Sequence, residues 1–395
     1  MLNRTWFYDV PSDEHHEEER KPSWLELFFD LVFVATLIQL GNYLSDNVTL
    51  LGFLQFALLL LPVWWSWSGM TFYANRYLID DVWHRLLILG QIILISTLAI
   101  SLNDPFEGLY TQFALAYAGV RIILIVMYIR AYVRVEESRP LVIGYIIGFA
   151  IAAVFWTVSA FLPPSMGVIL WAVGLAIDIG TPTIPYMVKW QAKFPPHIHH
   201  MVERYGIFTI IVLGESFVKV IDGMAGTAFS AALVPGVISG TVVGLSLWWM
   251  YFDDMSEADV HSRGTSTYMW IYSHAPLSIG LVAFGVAAKK LLEQPIGDPL
   301  ADKYRLLMCA AVGLFLLVLA VIDKVSERKD DGLPNPVRGN WRIAGLLLVG
   351  LLAAFGSPLT PPIFGVLLAM IFIGQVAVNV IGKPSEEFEG GHHAA

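Results

Sequence analysis

Cysteine is almost absent from this chain: Cys309 stands alone in 395 residues. That excludes an internal disulfide and a cysteine metal cluster, and the apolar neighbours of Cys309 mark it as inert packing. Charge is scarce too, at 14% of residues, where soluble globular chains carry about 25%. What charge there is runs acidic, with 24 Lys and Arg against 33 Asp and Glu and a net charge of −9. A nucleic-acid partner does not fit that balance. No HExxH, GxSxG, Walker or rhomboid-type serine motif occurs, so no catalytic class declares itself. No cleavable leader is evident either. The first apolar run starts near Trp24, behind a charged tail, and leads into further apolar runs.

Hydrophobic residues make up 56% of the chain, and the mean hydropathy is +0.63. They fall in blocks of about 20, the length that carries a helix across the hydrocarbon of a bilayer. The blocks run approximately 24–44, 49–73, 83–102, 109–129, 141–162, 166–187, 205–221, 228–252, 266–288, 304–322, 342–357 and 361–382. This pattern predicts an all-α, polytopic transmembrane bundle of about 12 spans. Pro361 and Pro362 leave open a re-entrant pair in place of the last two crossings.

Orientation follows from the basic residues of the loops. With the N-terminus in the cytosol, cytosolic segments hold 18 of the 24 Lys and Arg residues; four (Lys289, Lys290, Lys303 and Arg305) lie opposite, and Arg121 and Lys219 fall inside spans. Both termini are therefore expected in the cytosol. Trp24, Tyr77, Trp83, Tyr251 and Trp341 near span ends suit an interfacial belt. The tails 1–23 and 383–395 are polar. His15 and His16 in the first, and the three His of 193-KFPPHIHH-200, read as solvated segments, since a metal site needs convergent ligands. No metal or other cofactor is expected.

The chain also repeats a plan. Glu26 opens one apolar run and Glu203 opens another 177 residues later. Trp64-Trp65 recurs as Trp248-Trp249, and each pair precedes two aspartates, Asp80-Asp81 or Asp253-Asp254. His84 and His274 then fall in corresponding spans. This organisation gives a first six-span half at 24–187, a cytosolic linker at 188–204 and a second half at 205–382. Halves of six spans enter from the same side, which predicts a parallel repeat about an axis along the membrane normal.

Three stretches carry a family resemblance: 25-LELFFDLVFV-34, 75-NRYLIDDVWHRLL-87 and 199-HHMVERYGIFTIIVLGES-216. A weaker fourth is Tyr272-x-His274-x-Pro276. They resemble the bacterial low temperature requirement protein A (LtrA) family. The motif positions are Asn75, Asp80, Asp81, Glu203, Arg204, Gly214 and Ser216. The resemblance implies a multi-pass inner-membrane protein and little mechanism. Lys219, where an apolar or small residue is expected, departs from the pattern.

Ionisable groups in hydrocarbon are costly, so each needs a partner or a task. Glu26 and Asp30 share a helix face one turn apart. Glu215 lies eleven residues beyond Arg204, about 16 Å deeper, with Lys219 one turn further on. Gly214 and Ser216 beside it are small enough to admit a neighbouring helix. Arg121 and Asp178 fall near mid-depth, where they could pair. Asp178 also precedes Pro182 and Pro185, and a helix broken there would free carbonyls for a cation. His274 precedes Pro276 and could relay protons or bond a carbonyl on the next helix.

Four acids (Glu26, Asp30, Asp178, Glu215) against two bases (Arg121, Lys219) leave a negative interior that favours a bound cation or proton. The sites expected for it are Glu215, Asp30, Asp178, Glu26 and His274, with Glu215 and Asp30 facing one cavity between the halves. This reading is a transporter- or channel-like protein rather than an enzyme. Two others stay open: a membrane enzyme acting on lipid or lipid-linked substrates, drawing on Asp80, Asp81 and His84, and a non-catalytic sensor or scaffold.

Overall fold

The computed structural model describes residues 23–77, 81–224, 233–256, 258–259, 265–328 and 333–381. Asp80 and the two polar tails, with His15 and His16, lie outside them. Thirteen α-helices make up the described fold: α1 Trp24–Asp46, α2 Leu50–Arg76, α3 Val82–Ser101, α4 Tyr110–Arg134, α5 Arg139–Ser159, α6 Pro164–Gly180, the short α7 Pro185–Gln191, α8 Ile198–Asp222, α9 Val234–Ser256, α10 Thr265–Leu292, α11 Asp302–Val325, α12 Asn335–Phe355 and α13 Pro361–Ile381. Ala258–Asp259 and Glu327–Arg328 pair as two-residue antiparallel strands that tie two connections together.

Local chemistry sets the helix starts. Ser23 and Glu26 close a capping box on α1, Thr49 caps α2, and the Asp81 carboxylate accepts from the His84 backbone N–H to cap α3. α6 ends at Gly180, and a 3₁₀ turn, Thr181–Thr183, leads through Pro185 into α7. The prolines thus break the expected span 166–187 into two pieces.

Eleven helices are long and apolar enough to cross a membrane. α12 and α13 are both among them, with 21 residues each, so the last two apolar blocks are separate crossings in length and composition rather than one re-entrant pair. α8 is as long, at 25 residues, but carries Glu203, Arg204, Glu215, Lys219 and Asp222. The bundle is apolar outward: Leu31, Ile93, Ile147, Ile169, Ile210 and Leu351 are exposed, as lipid contact requires. Its polar residues point inward, and Asp30, Arg121 and Asp178 are fully buried.

Within the first six long helices the main neighbours are α1–α2, α1–α3, α2–α4, α2–α6, α3–α4, α4–α5 and α5–α6. The second six pack in the same seven combinations, α8–α9, α8–α10, α9–α11, α9–α13, α10–α11, α11–α12 and α12–α13, with α9–α10 added. The main contacts between the two sets run through α1, α2, α8 and α10. The face where α1 starts is called the near face below, and the opposite one the far face.

Candidate functional site

The fold holds several buried acid–base pairs, among them Asp323 of α11 with Arg338 and Arg342 of α12, and three others hold the residues expected at the site. The first joins the two sets of helices. Asp30, one turn and a half into α1, accepts from Arg204 Nη2 on α8 at 2.8 Å and from Trp67 Nε1 on α2 at 2.7 Å, both on Oδ1. Both ionic side chains are about 1% exposed. Asp30 Oδ2 and Arg204 Nε and Nη1 are buried without a hydrogen-bond partner. The aromatic rings of Phe29, Phe33, Trp67, Tyr205 and Phe208 wall the pair.

The second pair lies within the first six helices. Arg121 Nε meets Asp178 Oδ2 at 2.8 Å, both fully buried. Tyr117 donates to the same oxygen and accepts from Arg121 Nη2 at 2.9 Å. Gly69 of α2 makes room for it, since a Cβ there would sit 2.9 Å from Arg121 Nη1. The pairing foreseen for Arg121 and Asp178 is what the fold contains, with Tyr117 as its third member; Asp178 Oδ1 and Arg121 Nη1 are buried without a hydrogen-bond partner.

The third pair lies toward the far face. Lys219 stands 3.6 Å from Glu215 Oε1, both nearly fully buried, and donates to Asn42 Oδ1 on α1 at 2.6 Å. Its Cε lies against Gly41, where a Cβ would come within 2.9 Å. Both Glu215 oxygens lack a hydrogen-bond partner. Asn42 also lines a polar cavity of about 450 Å³ between the α1–α2 and α3–α4 connections, together with Asp46, Gln55, Asp104 and Glu107.

These positions revise several expectations. Glu215 and Asp30 do not face each other. Asp30 pairs with Arg204, and eleven residues of α8, about 16 Å, separate Arg204 from Glu215. Arg204, assigned by its charge to a connecting loop, lies inside α8, which begins at Ile198 rather than near 205. Counting it among the residues named for the interior brings that set to four acids against three bases; of the acids, Glu26 accepts from the Ser23 backbone N–H at 2.8 Å. Four of the carbonyls around the break after Asp178 are taken by side chains and not left for a cation. Thr181 donates to Ile177 O, Tyr272 to Ile179 O, Thr183 to Gly180 O and Gln191 Nε2 to Pro182 O. Gly214 is exposed, with open space where a Cβ would go. Close packing comes instead through Ser216, against which a Cβ on Gly285 of α10 would stand at 2.7 Å, and whose Oγ donates to Leu281 O at 2.7 Å.

His274 is held on both sides, by Tyr251 Oη of α9 at 3.0 Å and by the Trp270 carbonyl of its own helix at 2.8 Å, so the contact to the next helix is a hydroxyl and not the carbonyl expected there. Glu203 is half-buried beside Arg204. Asp81 takes Arg130 Nη2 at 2.6 Å and Arg134 Nη1 at 3.0 Å. Burial pushes its carboxyl up, but hydrogen bonds from Arg130, the His84 N–H and Arg134 outweigh that and bring it down to about 2.

Sequence reasoning gave Asn75 no physical role beyond its motif. Its Oδ1 accepts from the His197 N–H at 2.7 Å while Nδ2 donates to the His197 carbonyl at 3.0 Å, a two-way clasp on the linker before α8. Arg76 next to it donates to Phe194 O and Gln191 Oε1. The signal was the adjacency of an amide and a guanidinium at the end of a span, which fixes no partner by itself.

Residues 21–378 match the family described as bacterial low temperature requirement A protein (LtrA). The chain belongs to this family. An uncharacterized protein of Rhizobium meliloti is 27% identical over 296 residues, covering 71% of this chain and 72% of its own length. No solved structure matches. As an LtrA protein with many apolar helices, the chain is a multi-pass membrane protein in a lipid bilayer. The motif residues now have positions: Asn75 clasps the linker, Asp81 caps α3, Arg204 pairs with Asp30 and Ser216 seats α10.

Proposed function

We propose that this LtrA protein is a transporter-like carrier of protons or small cations, with both termini in the cytosol of the inner membrane, and that Asp30 is its ion-handling group. The observation that carries this reading is the Asp30–Arg204 pair. Its partners come from the two six-helix sets, so any rocking of one set on the other stretches it. A buried carboxylate separated from its cation leaves an uncompensated charge that costs about 3–5 kcal/mol. A proton or a small cation on Asp30 removes the carboxylate's share of that cost, while Arg204 must reach water or another acceptor, so ion binding and movement are coupled. Asp30 Oδ2, without a partner, is the atom for the incoming proton or ion.

The two sets of seven matching neighbour pairs support the parallel repeat, and the sets are the moving bodies in this reading. Positive charge on the near face (Arg76, Arg130, Arg134, Arg139) supports a cytosolic near face. The alternative lipid-directed enzyme has less support, because Asp81 is engaged by two arginines and a helix cap.

The test is flux in vesicles reconstituted with the full chain, read by a pH-sensitive dye and by sodium and potassium indicators. Wild type should move at least one of the three ions. Asp30→Asn keeps the shape and should reduce that flux at least tenfold while leaving the protein monodisperse. Wild-type vesicles passive to all three ions, or an Asp30→Asn variant as active as wild type, would remove the proposal.

A further inference from the structure

A separate cluster of donors sits at the near-face rim of the first six helices, away from the three acid–base pairs. Arg76 ends α2, and its Nη1 is buried with no acceptor. Its other nitrogens are spent on two neutral acceptors, Phe194 O and Gln191 Oε1. Its guanidinium lies 5.5 Å from the Phe72 ring and 6.0 Å from the Tyr145 ring. Among the described residues no carboxylate pairs with it. The groups that feel its charge are the phenols of Tyr145, Tyr128, Tyr77 and Tyr268.

Two of the phenols in this nest have spare donors. Tyr73 and Tyr128 are at most 1% exposed, and neither hydroxyl has a hydrogen-bond partner. Their rings meet edge to face at 5.2 Å, and Tyr128 stacks on Tyr145 at 4.9 Å. Tyr145 in turn shares the Gln191 Oε1 acceptor with Arg76, at 3.1 Å each. Arg130 and Arg134, close enough for their charge to act on Tyr73, add positive potential that Asp81 only partly cancels. A buried donor left empty costs about 1–3 kcal/mol. Three together, around a cation without an anion, describe a place that lacks an acceptor.

We propose that Arg76, Tyr73 and Tyr128 form a binding site for a phosphate group. A tetrahedral oxyanion offers several acceptor oxygens, which suits a guanidinium edge together with hydroxyl donors from two directions. The level of the site fits as well. Tyr73 lies three residues and Tyr128 six residues from the near-face ends of their helices, about 5–9 Å in, a depth close to the headgroup layer. The site is independent of the Asp30 reading and of the direction of any transport.

The experiment uses the purified full chain in neutral detergent and reads thermal unfolding against three probes: inorganic phosphate, dioctanoyl phosphatidic acid, and sodium chloride at matched ionic strength. Phosphate or phosphatidic acid should raise the midpoint in a saturable way and chloride should not. Response to phosphatidic acid alone assigns a lipid headgroup, and response to inorganic phosphate assigns a soluble ligand. Tyr73→Phe and Tyr128→Phe should unfold at the wild-type temperature or above it without anion, because they delete hydroxyls that bond nothing. With anion each should need about ten times more probe for the same shift. No saturable shift with either phosphate probe, an equal shift with chloride, or Phe variants that respond like wild type would overturn the site. So would a Phe variant that is destabilised without anion, since its hydroxyl would then have a protein partner.

Discussion

Lys219 donates to Asn42 at 2.6 Å across 177 residues of sequence, the same spacing that separates Glu203 from Glu26. Toward the near face, Arg204 and Asp30 meet across 174 residues. α1 and α8 therefore touch at two levels, residue 30 with 204 and residue 42 with 219, which makes them parallel neighbours. They stand side by side where the two six-helix sets meet.

The Lys219 contact leads to the first prediction. Lys219→Met keeps the length of the side chain that fills the space beside Gly41, but strips Glu215 of its cation. The variant should lose about 3 kcal/mol of stability in detergent unfolding. Adding Glu215→Gln removes the orphaned charge and should restore more than half of the loss. A Lys219→Met single variant as stable as wild type would show that Glu215 finds its compensation elsewhere.

The Arg121–Asp178–Tyr117 triad makes the second. All of its members are buried, and the cation fits only because residue 69 has no side chain. Gly69→Ala should be destabilising by about 1–3 kcal/mol through overpacking against Arg121 and Leu124. Asp178→Asn should cost more, about 3–5 kcal/mol, because it leaves Arg121 charged and unpaired. Thermal unfolding of both variants, ranked against each other, checks the order.

Much of this architecture was legible in the sequence and part of it was not, for identifiable reasons. Runs of about 20 apolar residues announce helices whatever surrounds them, so the blocks became helices with ends shifted by a few residues. The starts of α8 and α12 moved furthest, because Glu203 and Arg204, like Arg338 and Arg342, look like the edge of a span. Arg204 is tolerated inside because Asp30 neutralises it, and a partner 174 residues away leaves no local mark. Small residues posed the same problem. Gly214 and Ser216 look alike as contact points, yet only one faces another helix. The carbonyls freed near Pro182 were foreseeable, but the threonine, tyrosine and glutamine that occupy them come in part from distant helices.

The Asp81 clasp gives a pH prediction. Its carboxyl is lowered from an ordinary 3.8 to about 2 in the folded protein, so the unfolded chain binds its proton first as the medium is acidified. The stabilisation is therefore complete above about pH 4 and is lost as pH falls through about 2. It amounts to about 2 kcal/mol. Asp81→Asn should lower stability at pH 7 by about that much and leave it nearly unchanged at pH 2, with unfolding at both pH values as the measurement. An equal loss at both would show that the helix cap, and not the arginine pairing, carries the effect.

Gly214 and Gly285 provide the last test, since both bear on how α8 packs against α10. A Cβ on Gly285 would stand 2.7 Å from the Ser216 Cα, a backbone atom that cannot turn aside, whereas a Cβ on Gly214 meets nothing within 4 Å. Gly285→Ala should therefore push the two helices apart, stretch the 2.7 Å bond from Ser216 to the Leu281 carbonyl and destabilise the protein by about 1–3 kcal/mol. Gly214→Ala, on an exposed helix position, should be neutral or gain up to about 1 kcal/mol, because alanine restricts the unfolded chain and favours helix. Displacement of α8 at residue 216 reaches Glu215 and Lys219 next to it, so Gly285→Ala should also loosen the contact with Asn42. Solvent exchange of the α8 amides near 215–219 should rise in that variant and stay at the wild-type level in Gly214→Ala. A reversed order of the two glycines would mean that α8 presents its other face to α10.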